Sequence, residues 1–264
     1  MTNRIEKLFA ALKQRNEKGL IGYITAGDPD LTTTHELVLA MAEGGADLVE
    51  IGVPFSDPVA DGPTIQEASQ RALAAGTTPA MIIDLVRTLR PKTETPIVLM
   101  TYYNPVYRWG PAAFAAAAPA AGADGLIVPD LPVEEASVLR TACDARNLAL
   151  LPRVAPTSTP ARIETIASQA RGFIYCVTVT GVTGARSRIE TDLAPFVGTV
   201  RRYTQLPVAL GFGIAGPEAA RSLAPLADAL VVGSALVSLV ANHRGTTLIQ
   251  EVKAFCRCLK EALA

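Results

Sequence analysis

Histidine is nearly missing from this sequence. His35 and His243 are the only two, and neither forms a metal-ligand cluster with cysteine or aspartate, which argues against a metal-dependent aldolase. The His–carboxylate dyad of a sugar isomerase is absent as well. Lysine is scarce and misplaced: Lys7, Lys13, Lys18, Lys92, Lys253 and Lys260 all fall outside the ends of strand-like runs, so a Schiff-base mechanism has no nucleophile. The four cysteines, Cys143, Cys176, Cys256 and Cys258, have no C-x-x-C spacing and read as reduced thiols of a cytoplasmic protein. Charge excess is missing too. A formal net charge of −1 leaves no electrostatic footprint for nucleic acid or an anionic membrane surface. No apolar run approaches a membrane span, and the amphipathic, charged stretch Met1–Gln14 is not a signal peptide.

What remains is a chain of 264 residues, 49% hydrophobic and 19% charged, able to bury a large core. Without a Ser- or Gly-rich linker or a shift of composition, residues 1–264 read as one domain. Eight short runs rich in Ile, Val and Leu recur at Ile21–Thr25, Leu48–Ile51, Pro96–Thr101, Gly125–Val128, Ala149–Arg153, Phe173–Val177, Pro207–Gly211 and Ala229–Val232. They are too continuously apolar to have a wet face, as expected of parallel strands covered on both sides. Helical stretches lie between them at 31–44, 64–75 leading into 79–90, 111–121, 133–146, 159–170, 192–203 and 216–225, with a final one at 246–262. Eight such alternations at this length predict a (β/α)8 TIM barrel. Residues 3–18 predict an extra N-terminal helix that plugs the barrel bottom. Gly45-Ala46-Asp47, Gly122-Ala123-Asp124 and Leu226-Ala227-Asp228 echo one another where a helix hands over to a strand.

Two carboxylates interrupt this pattern. Glu50 sits inside the apolar run Leu48-Val49-Glu50-Ile51, and Asp61 lies on the loop that leaves it. In barrels of this kind the chemistry lies at the C-terminal strand ends and the loops beyond, where a buried acid without a partner is costly. Together the two can supply a proton donor and a charge stabiliser, with burial lifting Glu50 towards neutrality. The plainer reading of Glu50 is an acid satisfied by an arginine or by backbone donors; that of Asp61-Gly62-Pro63 is a turn or helix cap. On the other side of the predicted barrel, TGVTGARS (180–187), GFGIAGPE (211–218) and VVGSALV (231–237) follow the last three strands. Glycine there lets backbone N–H groups and helix N-termini close on a phosphate. Tyr23, Tyr102, Tyr175 and Phe212 lie near strand ends, either as an aromatic wall for a ligand or as core filling. Acid–base chemistry by carboxylates on a phosphorylated small molecule is the class left standing. An isomerase of a phosphorylated sugar on the same barrel is the runner-up.

The stretch LVEIGVPFSDPVADGPTIQ, with YITAGDP (23–29), GVTGAR (181–186), GFGI (211–214) and VVGSALV in order and spacing, resembles the tryptophan synthase alpha chain family over essentially the whole length. That resemblance implies a (β/α)8 barrel and a lyase that splits indole-3-glycerol phosphate into indole and glyceraldehyde 3-phosphate, a step of tryptophan biosynthesis. It implies Glu50 and Asp61 as the catalytic acids, with Thr183, Gly184, Gly213, Ile214, Gly233 and Ser234 around the phosphate. No cofactor is expected in this chain. The partner implied is a beta chain carrying pyridoxal phosphate, in an alpha2-beta2 heterotetramer docked through the loops around Pro54–Pro58 and Asn104–Trp109. Thr178-Val179 departs from the family pattern ahead of a Gly-hinged segment, 181–190, expected to act as a lid. A free-standing indole-releasing lyase and a phosphate-binding regulatory barrel without turnover are the alternatives.

Overall fold

The computed structural model describes residues 3–177, 193–211 and 213–264. Among them nine strands pair in parallel in one sheet: β1 (Gly19–Thr25), β2 (Leu48–Gly52), β3 (Ile97–Met100), β4 (Gly125–Ile127), β5 (Ala149–Leu150), β6 (Arg153–Val154), β7 (Ile174–Val177), β8 (Val208–Gly211) and β9 (Ala229–Val232). Their spatial order is β5-β4-β3-β2-β1-β9-β8-β7-β6, so the two ends of the order are neighbours in the chain. The Leu151 amide donates to the Leu126 carbonyl at 2.8 Å, and the Tyr175 amide donates to the Pro152 carbonyl at 3.0 Å. Segment 149–154 is thereby tied to β4 on one side and β7 on the other, and the sheet closes as a (β/α)8 barrel. The expected fifth strand, Ala149–Arg153, is two short strands instead. Pro152 has no N–H to give to a ladder, which breaks the run at Leu151-Pro152.

Helices cover the sheet: α1 (Arg4–Arg15), α2 (Leu31–Glu43), α3 (Pro63–Ala74), α4 (Pro79–Leu89), α5 (Tyr103–Trp109), α6 (Pro111–Ala121), α7 (Ser137–Asp144), α8 (Pro160–Ser168), α9 (Ala194–Tyr203), α10 (Pro217–Leu223), α11 (Ser234–Asn242) and α12 (Gly245–Ala262). Asp30, Thr78 and Thr159 cap α2, α4 and α8 by accepting from the backbone N–H three residues on, the expected use of these residue types. Two helices fall where the sequence reads as loop. In α5, Pro105 occupies the first turn, where a missing N–H costs nothing. In α11, SALVSLV lacks a wide polar face because the helix is packed against β1 and α3. No single described helix is long and apolar enough to cross a membrane.

Strand parity decides what enters the barrel, because side chains alternate between faces. Leu20, Ile24, Val49 and Ile51 face the helices, while Ile21 and Leu48 face inward with Val98, Ile127, Phe173 and Val231. Helix α1 fills the floor of that interior with Ile5, Phe9 and Leu12, and Phe9 meets Phe173 at 5.5 Å between ring centroids. It is the plug that its position before the first strand predicts. Asn3 locks it in place: its side chain accepts from the Ile5 amide and donates to the carbonyls of Asp124 and Asn147, both at 2.8 Å.

The repeated Ala-Asp handover has a physical reason. Asp47, Asp124 and Asp228 each accept from the first N–H groups of a neighbouring strand, at Leu20, Ile97 and Val208 (2.7 to 2.9 Å). Each also faces a cation: Lys260, Arg90 and Arg201 respectively. The barrel bottom is thus sewn by carboxylates in saturated polar surroundings.

Candidate active site

Glu50 has even parity on β2, in register with Tyr23 on β1 and Val98 on β3. It therefore points into the barrel above the Leu48 layer. It is 1% exposed, and its Oε1 has no hydrogen-bond partner among the described residues. Among the described residues, nothing on that atom supports the reading of Glu50 as a fully satisfied structural acid. Burial lifts its pKa to about 8, against the attraction of Arg153 and with a contribution from Asp61. A carboxyl group in this state holds its proton at neutral pH and gives it up at little cost.

Asp61 comes from the loop between β2 and α3. It is 6% exposed, and burial raises its pKa to about 6 against a hydrogen bond from Tyr102 and the charge of Arg153. It does not cap α3. The cap is Gly62, which has no side chain to offer, and Pro63 follows at the first helical position. The loop is fastened by other bonds: the Asp61 amide to the Pro58 carbonyl (3.0 Å) and Gln66 Nε2 to the Asp61 carbonyl (2.8 Å). The Asp61 carboxylate, held by the Tyr102 hydroxyl, borders the cavity.

That cavity, at the C-terminal mouth and open to solvent, is bounded by Glu50, Asp61, Tyr23, Tyr175 and Arg153, by the apolar Ile65, Met100, Ile127 and Val231, and by Gly213, Ile214, Gly233 and Ser234. The acids and the glycine-bearing ends of β8 and β9 thus share one space, apolar between them. Tyr23 and Tyr175 are its aromatic walls, each seated over a glycine of the next strand. A Cβ on Gly52 would stand 2.1 Å from the Tyr23 hydroxyl, and one on Gly211 would stand 2.4 Å from that of Tyr175. Gly211 is therefore there for its missing side chain. Gly213, with φ of 77°, is there for its backbone. Gly233 directly precedes α11, whose first turn has no side-chain cap, so its N–H groups are open to an anion.

Tyr102 stands elsewhere than the aromatic wall. Its hydroxyl accepts from the Ala60 amide at 2.9 Å and bonds Asp61, while its ring stacks on Phe55 with centroids 5.4 Å apart. It braces the acid-bearing loop from behind. Thr183, Gly184 and Phe212, the segment 181–190 and Thr178-Val179 lie outside the described residues. Arg153 is the cavity residue that the sequence reading passed over. The signal was parity: Ala149 and Leu151 face inward, so 153 does too, and an arginine there needs a reason.

Fold and cavity together define a (β/α)8-barrel enzyme built for acid–base work on a small anionic molecule. Comparison narrows this further. The tryptophan synthase alpha chain family model matches residues 9–264. The alpha chain of Caldanaerobacter subterraneus subsp. tengcongensis is 50% identical over 262 residues, covering 99% of this chain and all of the relative. That of Citrifermentans bemidjiense is 51% identical over 261 residues, 99% and 98% of the two chains. A structure of Mycobacterium tuberculosis tryptophan synthase superposes with a TM-score of 0.91 at 36% identity, covering 100% and 99%. The chain belongs to the tryptophan synthase alpha chain family. The reaction of this family is the cleavage of indole-3-glycerol phosphate to indole and glyceraldehyde 3-phosphate, and its members pair with a beta chain that holds the pyridoxal phosphate.

Proposed function

We propose that this chain carries out that cleavage with Glu50 as proton carrier and Asp61 as charge stabiliser, and that Gly213, Ile214, Gly233 and Ser234, with Thr183 and Gly184, receive the phosphate. The observation that supports it best is the buried Oε1 of Glu50, without a partner among the described residues, on an acid that borders the same cavity as Asp61. In the ground state Glu50 holds a proton and Asp61 is ionised. Glu50 delivers its proton to indole C3, making the ring an indolenine cation. Asp61 accepts a hydrogen bond from the ring N–H, whose positive charge it offsets. The Glu50 carboxylate then takes the proton of the hydroxyl next to the ring. The bond from C3 to that carbon breaks, its electrons restore the aromatic ring, and the carbon leaves as the aldehyde of glyceraldehyde 3-phosphate. Glu50 ends protonated, ready for another cycle.

The required state, Glu50 protonated and Asp61 ionised, is best populated between about 6 and about 8. Turnover therefore rises with pH through the lower value and falls through the upper one, the two belonging to the coupled pair. The deciding experiment is indole release from indole-3-glycerol phosphate by the purified chain, alone and with a beta chain. Slow release alone and marked stimulation in the complex are expected. Full activity alone, indifferent to any beta chain, identifies a free-standing lyase; analogue binding without indole release identifies a regulatory barrel. The docking surface assigned by this reading is Pro54–Pro58 with Asn104–Trp109. Within it Tyr107 is 66% exposed, whereas Trp109 turns inward, edge-on to Phe114 at 5.7 Å. Tyr107 is thus the better anchor. A cytoplasmic location, where a biosynthetic enzyme meets its substrate, goes with this reading.

A further inference from the structure

Arg153 is the one cation bordering the mouth cavity among the described residues, and its presence there has to be accounted for. The break at Pro152 sets it at the start of β6, paired with Tyr175 of β7. In the spatial order of strands β6 and β2 lie on opposite sides of the ring. Its guanidinium carbon lies 5.9 Å from the centroid of the Tyr175 ring, a distance at which the aromatic face attracts a cation. The ionisable groups facing the two acids are Tyr23 from β1, Tyr102 from the start of α5, Tyr175 from β7 and Arg153 from β6. The three phenols stay neutral, since burial pushes each of them up. On its other flank Arg153 borders a second cavity with Asp130, Arg140 and Arg162. There Arg162 is paired with Glu134 at 2.7 Å, Asp130 accepts from the Tyr103 amide and Arg140 donates to the Val133 carbonyl. Among the described residues, the cation that shares this cavity with both Glu50 and Asp61 and attracts them is therefore Arg153.

We propose that Arg153 is a positioning residue of the cleavage reaction: held against Tyr175 across the mouth from the acids, its fixed charge sets where on the pH scale the Glu50–Asp61 pair carries a single proton. The inference rests on reading those two acids as the reacting groups. Burial of the pair is the larger effect and pushes both carboxyls up; Arg153 opposes it. Remove the charge and both acids hold their protons to higher pH. Asp61 is then ionised too late to meet the developing ring cation at neutral pH.

The test compares wild type, R153K and R153Q by three readouts: the pH dependence of kcat/KM for indole release, the carboxyl ¹³C titration of Glu50 assigned with E50Q, and affinity for glycerol 3-phosphate. In R153Q both limbs of the profile and the Glu50 titration move to higher pH, with turnover on the acidic limb roughly three- to tenfold lower. R153K keeps the wild-type positions, and glycerol 3-phosphate affinity stays within about twofold in both variants. Unmoved limbs with weakened glycerol 3-phosphate binding in R153Q overturn the proposal and make Arg153 a phosphate ligand. An unmoved Glu50 titration overturns it outright. If wild type releases no indole at all, the carboxyl titration still decides this inference, while the reading of Glu50 and Asp61 as reacting acids falls.

Discussion

The barrel buries a carboxylate near each end, and the two are treated in opposite ways. At the bottom Asp124 is 5% exposed. It accepts from the Ile97 amide at 2.9 Å and from Arg4 and Arg90, both at 3.2 Å. At the top Glu50 is 1% exposed and has one oxygen without a partner among the described residues. Burial raises both pKa values. At Asp124 the amide and two arginines oppose it directly, whereas at Glu50 the opposing group among the described residues is a cation across the mouth. Depth of burial therefore does not mark a reactive acid. On the proposed reading, the mark is an unmet hydrogen-bonding capacity that faces a space a substrate can enter.

The sharpest way to break this contrast is to neutralise the top acid. Glu50→Gln keeps the shape and removes the transferable proton, so turnover falls about 10²–10⁴-fold with substrate binding largely kept. Its stability moves the other way. Because the folded-state pKa of Glu50 is raised to about 8, the native state binds a proton that the unfolded chain has released. Wild-type stability thus declines as pH rises from the ordinary glutamate value to about 8, by an amount on the order of a few kcal/mol. Urea melts of Glu50→Gln should lack that decline, and parallel curves for the two proteins would contradict it. Asp61→Asn, which keeps the loop but cannot offset a cation, loses turnover roughly 10²-fold.

Next in size is the anion side. Gly213→Asp puts a carboxylate at the proposed phosphate site and a side chain on a backbone of positive φ. Binding of glycerol 3-phosphate then weakens more than ~tenfold while indole still binds; calorimetry with both ligands measures this, and unchanged phosphate binding moves the anion elsewhere. The bottom acid gives the mirror image of Glu50. Asp124→Ala leaves the Ile97 amide unsatisfied and takes their carboxylate partner from Arg4 and Arg90, and it costs about 3 kcal/mol of stability, with kcat of the folded fraction unchanged. Equal losses of activity at both ends would erase the distinction. The smallest effect is expected for Phe55→Ala, which removes the ring stacked on Tyr102 behind the Asp61 loop. Stimulation by a beta chain drops more than basal turnover, as read by paired assays across a titration of the partner.

Much of this was legible in the sequence because it rests on local rules. Seven of the eight apolar runs are single strands, the plug helix lies where a helix before the first strand predicts, and Glu50 stood out as an acid in an apolar run. The misses have physical causes. Tyr103–Trp109 reads as a loop because a proline so close to a helix start carries no boundary information. Ser234–Asn242 lacks the polar stripe by which a surface helix is recognised. Arg153 carries no signal in the run Ala149–Arg153, since only the ring of strands reveals that 149, 151 and 153 share the inner face. Tyr102 reads as aromatic wall or as core filling because a sequence gives its distance along the chain and not the loop it turns to brace. The glycines beneath Tyr23 and Tyr175 are invisible for the same reason: each serves an aromatic ring on a neighbouring strand.

Helix α1 carries a further consequence, for the order in which the chain is made. Its apolar face is made before every strand of the barrel, yet the groups that house it are distant: Asp124 and Asn147 lie 121 and 144 residues downstream of Asn3, and Phe173 comes later still. During translation Ile5, Phe9 and Leu12 therefore wait without a site while two-thirds of the barrel emerges. The capping box at Asn3 and Glu6 can keep the segment helical in the interval but cannot shelter it. Whatever occupies that greasy face on the ribosome, water, tunnel wall or chaperone, must let go once the sixth alternation has been delivered. For this chain, co-translational folding is an appointment kept late.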